Sequence, residues 1–199
     1  MSDRVIEAMA EYDNLCKYIH LPFQSVSDRI LKLMNRTYTR EHYLGRIAKI
    51  KELMPDCALS TDVIAGFCTE TEEGHQETLS LLRDVRYDGA YMFAYSPREN
   101  TKAWKMGDDV PDHVKQRRLE EIIALQNDIS RQINETEIGR VHDVLVEGPS
   151  KRDSTEWKGR SDTNKTVIFP HEDTRGYVVG DTVRVRVERC TSATLFGRL

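Results

Sequence analysis

Residues 60–74, Ser-Thr-Asp-Val-Ile-Ala-Gly-Phe-Cys-Thr-Glu-Thr-Glu-Glu-Gly, restrict the fold more than any other stretch. A buryable run ends in Gly66, and an acidic helix start follows within a few residues. That order predicts a strand, a tight turn and a helix entry. It is the unit of a parallel α/β sheet, whose sites collect at the carboxyl ends of the strands. Asp62 is set inside the predicted strand. A carboxylate buried there without a partner is costly, so Asp62 either binds a ligand or ties down a neighbouring loop.

Two more strands flank this one. Cys16 to Leu21 stops at Pro22, which cannot donate to a sheet ladder, and Phe23-Gln-Ser-Val-Ser-Asp28 follows as a polar strand end. Ala90 to Tyr95 ends in Ser96-Pro-Arg-Glu-Asn-Thr101. Helical spacing covers most of the rest. Residues 3–14 form a short amphipathic helix, and Ser27 or Asp28 caps a helix that buries Ile30, Leu31, Leu33 and Met34. Thr39 caps the next, which Pro55 ends. Thr69 and Glu72 stand at capping-box spacing ahead of a helix reaching Val85, and Gly66 suits a turn of positive φ. Pro111 starts a long helix. The alternation predicts a right-handed parallel sheet, and three strands leave edges that natural sheets rarely leave uncovered. The expectation is half of a larger sheet, with dimerisation through the bare edges as one way to cover them.

From about residue 133 the pattern changes. Val141 to Glu147, Glu156 to Gly159, Thr166 to Phe169 and Thr182 to Glu188 are short β-type runs between turn signals. They predict a small all-β barrel in the style of an oligonucleotide-binding fold. Val183, Val185 and Val187 alternate with Arg184, Arg186 and Glu188, so one face is core and the other carries arginines. Arg160, Asn164 and Lys165 lie beside a hairpin turn. A solvated barrel face and an RNA-binding face explain these charges about equally well.

Charge does not decide between them. Lys and Arg number 18 against 23 Asp and Glu over residues 1–135, and 11 against 10 over residues 136–199. No apolar run approaches the ~18 residues of a membrane span, and Met1 to Glu11 is charged rather than signal-like. Cys16, Cys57, Cys68 and Cys190 show neither CxxC nor CxxxCxxC spacing, so reduced cytosolic thiols and a cytoplasmic protein are the expectation.

Four motifs then combine. Tyr18-Ile-His-Leu-Pro-Phe-Gln-Ser25, Met34-Asn-Arg-Thr-Tyr-Thr-Arg40, Ser60-Thr-Asp-Val-Ile-Ala-Gly-Phe67 with Glu70-Thr71, and Tyr95-Ser-Pro-Arg98 occur in order. Together they resemble the second half of the radical SAM methylthiotransferases. The His-Leu-Pro-x-Gln-Ser form is similar to the bacterial tRNA enzymes that place a methylthio group on isopentenyladenosine next to the anticodon. Residues 144–150 and 159–165 resemble the TRAM RNA-binding domain that ends those proteins.

The resemblance implies an α/β fold: three βα units forming the C-terminal half of a partial radical SAM (β/α)6 barrel, followed by a small all-β TRAM barrel. It implies a division into residues 1–132 and 133–199. It implies S-adenosylmethionine (SAM) and two [4Fe-4S] clusters as cofactors of the parent protein and the tRNA anticodon arm as partner. With no cluster motif, this chain alone is expected to bind neither cluster nor SAM, to hold no catalytic residue or metal ligand, and to be inactive.

By the same resemblance Gln24, Ser25, Asp62, Ser96 and Arg98 line the SAM pocket. For Gln24 and Ser25, loop polarity and helix capping is the rival explanation. Asp62 takes a ribose hydroxyl or holds an arginine, and Arg98 suits a carboxylate or phosphate. Tyr95 stacks on a base or belongs to the core. Arg160, Asn164, Lys165, Arg184 and Arg186 are the implied RNA contacts. Three turns depart from the family. Val26 replaces a glycine, Cys68-Thr69 replaces Pro-Gly, and Glu99-Asn100 replaces Pro-Gly. Three rivals stay open: a threonylcarbamoyladenosine tRNA methylthiotransferase, a ribosomal-protein aspartate methylthiotransferase, and a non-catalytic RNA-binding module.

Overall fold

A computed structural model describes residues 1–151, 153, 155–171 and 176–199. Strands β1 (Tyr18–His20), β2 (Ala58–Ala65) and β3 (Gly89–Ala94) form a parallel sheet in that order. Ile19 lies opposite Leu59, and Asp62 and Ile64 lie opposite Tyr91 and Phe93. Side chains alternate along a strand. Ile19, Leu59 and Val63 therefore meet the helices and are buried, while His20, Asp62, Tyr91 and Phe93 share the other face.

Helices α1 (Asp3–Glu11), α2 (Asp28–Leu33), α3 (Arg40–Leu53), α4 (Glu72–Val85), α5 (Lys102–Lys105) and α6 (Asp112–Glu135) complete this part. Phe23, Tyr43, Ile50, Leu82 and Tyr87 fill the space under the sheet, each burial contributing about 1.5–3 kcal/mol. The Tyr43 and Tyr87 hydroxyls meet at 2.7 Å, so the polar ends of this core are satisfied within it. Among the described residues no further strand pairs with the outer edge of β1 or β3. Parallel sheets are normally covered on both sides, yet on the face carrying Asp62 the rings of Tyr91 and Phe93 are left exposed.

Local chemistry alters three expected boundaries. β1 is shorter than Cys16–Leu21, because Pro22 interrupts the ladder; pairing resumes at Gln24, opposite Val63. Neither Ser27 nor Asp28 caps α2 with its side chain, and Asp28 Oδ1 instead accepts from the Arg40 N–H at 2.8 Å. Thr71 rather than Thr69 caps α4, accepting from Gly74 N–H at 3.3 Å. Thr69 is drawn elsewhere. Its N–H donates to Asp109 Oδ1 at 2.7 Å and its hydroxyl accepts from Arg29 at 2.5 Å, which fixes it at φ +66°. The helix therefore starts beyond it. Thr39 does cap α3, through a 3.2 Å bond from His42 N–H, and Gly66 has φ +74°.

The second part is a closed barrel of β4 (Val141–Pro149), β5 (Glu156–Ser161), β6 (Thr166–Pro170), β7 (Thr182–Cys190) and β8 (Thr194–Arg198), in the order β4-β5-β6-β8-β7. Closure removes the free edges that an open sheet of this size would present. Val144, Val146, Val167, Phe169, Val185 and Leu195 fill it. The sequence reading missed β8, whose Gly197 breaks the β pattern. A Cβ there would lie 2.1 Å from Arg186 O, so the close β7–β8 crossing excludes any larger residue.

Helix α6 joins the two parts and extends to Glu135, packing on β2, β3, α4 and β7. Three of its buried polar residues donate to backbone carbonyls beside the elements it packs against. Gln126 donates to Tyr87 O at 2.8 Å, Ser130 to Asp88 O at 2.8 Å, and Asn134 to Thr191 O at 2.8 Å.

Candidate functional site at the strand ends

A cavity of about 760 Å³ opens beyond the carboxyl ends of the three strands. Gln24, Asp62, Tyr95, Ser96 and Arg98 all line it, so three separate strand ends converge. Gln24 is held in the left-handed region. Its φ is +62°, yet its N–H donates to Asp62 O and its carbonyl accepts from Ile64 N–H, both at 3.0 Å. A glutamine in the left-handed region costs energy, and β2 on both sides holds it there. That conformation aims the side chain at Asp62 Oδ2, 3.2 Å away.

Asp62 is held by histidine and glutamine, where the expected protein partner was an arginine. His20 Nε2 lies 3.3 Å from Asp62 Oδ1, and His20 Nδ1 lies 2.8 Å from Ser60 Oγ. Ser60 in turn meets the Tyr18 hydroxyl at 2.6 Å, and the His20 ring packs edge-on against Tyr91 at 5.7 Å. Tyr18, Ser60, His20, Asp62 and Gln24 thus form one polar chain along the face that carries Asp62. Sequence reasoning missed His20, Ser60 and Tyr18. Their period-two offset from Asp62 across paired strands was the available signal, but using it requires the register.

The remaining candidates separate. Ser96 and Arg98 are exposed at the rim. Ser25 is 4% exposed and is not a lining residue. Tyr95 is a wall residue. Its ring meets Phe67 edge-on at 4.9 Å, the Lys115 ammonium lies 5.8 Å from its centre, and burial raises its hydroxyl pKa. Arg36 and Lys102 also line the cavity, though the reading did not single them out. Arg36 falls inside the Met34–Arg40 motif, which was signal enough. With Arg98 they make three cations facing one carboxylate. That set suits a zwitterionic ligand: cations for its carboxylate, Asp62 for an ammonium or ribose hydroxyl.

The Gly66 turn, just before the lining residue Phe67, is tied down by hydrogen bonds. Gly66 N–H donates to Glu70 Oε2 at 2.7 Å, and the Arg118 guanidinium reaches Glu70 Oε2 and O at 3.1 Å each. Burial raises the Glu70 pKa, while Gly66 N–H and Arg118 oppose that rise.

SAM fits this donor set; an iron–sulfur cluster does not. Cys57 and Cys68 are buried, Cys16 is exposed, and Cys190 is in the barrel. Burial pushes the Cys57 thiol up to about 11, so it stays protonated at neutral pH. Among the described residues no group of three or more His, Cys, Asp or Glu could hold a metal ion.

The barrel candidates are also unequal. Arg184 and Arg186 are exposed on β7, with Arg186 donating to Gly139 O at 2.9 Å. Arg160 donates to Asn164 O at 3.0 Å, and Asn164 holds the hairpin at φ +60°. Lys165 points inward, to Asp88 Oδ1 at 2.6 Å.

Comparison with known proteins agrees with both halves. The radical SAM superfamily profile matches residues 1–82, and the TRAM domain profile matches residues 135–199. Proteins named tRNA-2-methylthio-N(6)-dimethylallyladenosine synthase are 55% identical in Chloroherpeton thalassium and 52% identical in Phocaeicola vulgatus. Each alignment covers 99% of this chain, and the chain spans 43% of each relative's length. Coproporphyrinogen III oxidase from Escherichia coli, described as a radical SAM enzyme, superposes with a TM-score of 0.54. At 16% identity, over 81% of this chain and 44% of that one, it is a likeness of fold.

Proposed function

We propose, from a chain whose residues 1–82 belong to the radical SAM superfamily and whose residues 135–199 form a TRAM domain, that it is the C-terminal part of a tRNA methylthiotransferase. The substrate is an adenosine next to the anticodon that carries an isopentenyl (dimethylallyl) group, and the product carries a methylthio group at C2. The observation that carries this reading is the strand-end cavity. Its polar residues converge from three strands, in a chain 55% identical to a protein named for that product.

When bound, SAM and the iron–sulfur clusters supply the radical and the sulfur chemistry. The residues of this chain bind and orient. Arg98, with Arg36 and Lys102, holds a carboxylate or phosphate at the rim. Asp62, fixed by His20 and Gln24, accepts from a ribose hydroxyl or ammonium. Ser96 adds a hydroxyl at the mouth, and Tyr95 walls the adenosine side. Arg160, Asn164, Arg184 and Arg186 face the anticodon arm, where phosphate contacts position the RNA. None of these groups needs to act as a general acid or base.

Several further elements belong to the same reading. The chain divides into a barrel half at 1–132 and a TRAM domain at 133–199, and the thiolates that ligate the clusters lie on the rest of the parent protein. Alone, this chain is inactive, and it can dimerise through its bare edges. No helix among the described residues is long and apolar enough to cross a membrane, and the proposed location is the cytoplasm, where tRNA is.

Nucleoside mass spectrometry of tRNA from a strain lacking the parent gene tests the reading. Loss of the methylthio form with accumulation of isopentenyladenosine is expected. Loss of methylthio-threonylcarbamoyladenosine instead would transfer the assignment to the sister enzyme. Unchanged nucleosides would leave only an RNA-binding module.

A further inference from the structure

The contact between Lys165 and Asp88 joins the β barrel to the parallel sheet. Lys165 Nζ stands 2.6 Å from Asp88 Oδ1 and 3.0 Å from Asn134 Oδ1, and the two charged side chains are 10% and 20% exposed. Every group in this contact is itself fixed. On the barrel side, Lys165 N–H donates to Ser161 Oγ at 3.1 Å, and its carbonyl accepts from Ser161 N–H at 3.1 Å, so the β5–β6 hairpin is closed beneath it. On the sheet side, Asp88 Oδ2 accepts from Leu59 N–H at 2.9 Å, and its carbonyl accepts from Ser130 at 2.8 Å. Asn134, near the end of α6, uses its amide group on the carbonyls of Thr191 and Ser192 in the β7–β8 turn.

One ammonium therefore spans the barrel hairpin, the entry to β3 and the end of α6. Around it the two parts are not packed solid, because a cleft of about 290 Å³ lies between the sheet and the hairpin. A largely desolvated ion pair between rigid partners adds little net stability, but it penalises every other arrangement that leaves either charge unpaired. A lysine that only gripped RNA would be expected to project into solvent.

We propose that Lys165 is a positioning residue. Its ammonium, seated between Asp88 and Asn134, sets the angle at which the barrel stands on the sheet. It thereby fixes where RNA on the arginine face of β7 lies relative to the strand-end cavity. The first statement stands on geometry; only its consequence for RNA rests on the function proposed above.

The test compares the isotope-labelled chain with Lys165→Met and Lys165→Arg by residual dipolar couplings of backbone amides. In the native chain one alignment tensor is expected to fit sheet and barrel together. Lys165→Met is expected to need two tensors, with amide shifts inside each part unchanged away from the contact. Lys165→Arg, which keeps the cation, is expected to retain one. A single unchanged tensor in Lys165→Met would overturn the proposal. So would unfolding of the barrel, because the contact would then hold the barrel's own fold. Asn134→Ala provides a second variant, expected to widen the spread of orientations.

Titration with an anticodon stem-loop RNA supplies the second arm. Lys165→Met is expected to bind within about twofold of the native chain. A tenfold loss, with the salt slope reduced by about 1, is what a direct phosphate contact predicts and would also count against positioning. If the native chain binds no RNA, the functional reading fails while the dipolar couplings still decide the role of Lys165.

Discussion

Gly66 and Thr69 show how one turn can carry opposite constraints three residues apart. Gly66 has φ +74°, and a Cβ there would stand 2.4 Å from Cγ of Lys115, whose ammonium is held by Asp108 at 2.5 Å. Gly66→Ala should therefore lose about 2–4 kcal/mol, from left-handed strain plus overpacking, measured by urea denaturation. Thr69 is also left-handed, at φ +66°, but is β-branched and stands where the family resemblance has glycine. Thr69→Gly should be neutral or stabilising by up to about 1 kcal/mol, the relief of strain being partly offset by chain entropy and the lost Arg29 bond. A loss above about 1 kcal/mol would show that the Arg29 and Asp109 contacts outweigh the strain. Asn100 keeps φ +65° at another position where the resemblance has glycine. Gly66 was legible from sequence because its turn is local. The strain at Gln24 was not, because β2 imposes it.

At the scale of elements, α4 is held to α6 by charges. Arg118 and Glu70 are 5% and 3% exposed, and Arg117 binds Glu72 at 2.6 Å. Arg118→Met leaves a buried carboxylate unpaired and should cost about 3–5 kcal/mol at neutral pH. Glu70 already has a raised pKa, and removing Arg118 raises it further. A raised carboxylate binds its proton more readily when folded, so stability falls as pH rises through the folded pKa. The deficit of Arg118→Met should therefore shrink as pH falls through the raised Glu70 pKa toward the ordinary value of 4.5, and a deficit constant from pH 7 to 4 would refute that account. Glu72 behaves in the opposite way. The hydrogen bond from Arg117 holds its carboxyl down to about 2, so its contribution is present above the ordinary value of 4.5 and is lost as pH falls toward 2. Glu72→Gln should flatten that acid limb in denaturation midpoints taken from pH 5 to 2. Thr69 and Glu72 at capping-box spacing were a plausible helix start, yet the tertiary pull of Asp109 and Arg29 moved the cap to Thr71.

At the scale of the whole molecule, a sheet that leaves Tyr91 and Phe93 exposed on one face is joined to a barrel that is closed. Arg184, Arg186 and Arg189 are exposed on β7, Arg189 stacking on Phe196, and a chain of net charge −4 has no general attraction for RNA. Binding to an anticodon stem-loop should be modest and weaken steeply with salt. Arg184→Ala with Arg186→Ala should lower the salt slope by about 1–2, measured by titration at several salt concentrations. Tight, salt-resistant binding would contradict that placement. The sequence by itself determined the order of strands and helices apart from α5 and β8, the barrel and the polar strand ends. Periodicity, proline and turn residues act over a few neighbours, and 199 residues suffice to write them out. Only the tertiary structure decided which side chains meet. Asp62 found His20 and Gln24 because parallel pairing sets their register. The last short strand paired because the barrel had to close. Lys165 turned inward because Asp88, 77 residues away, lay within reach. Contacts of that separation follow from how the elements dock, and no local pattern records them.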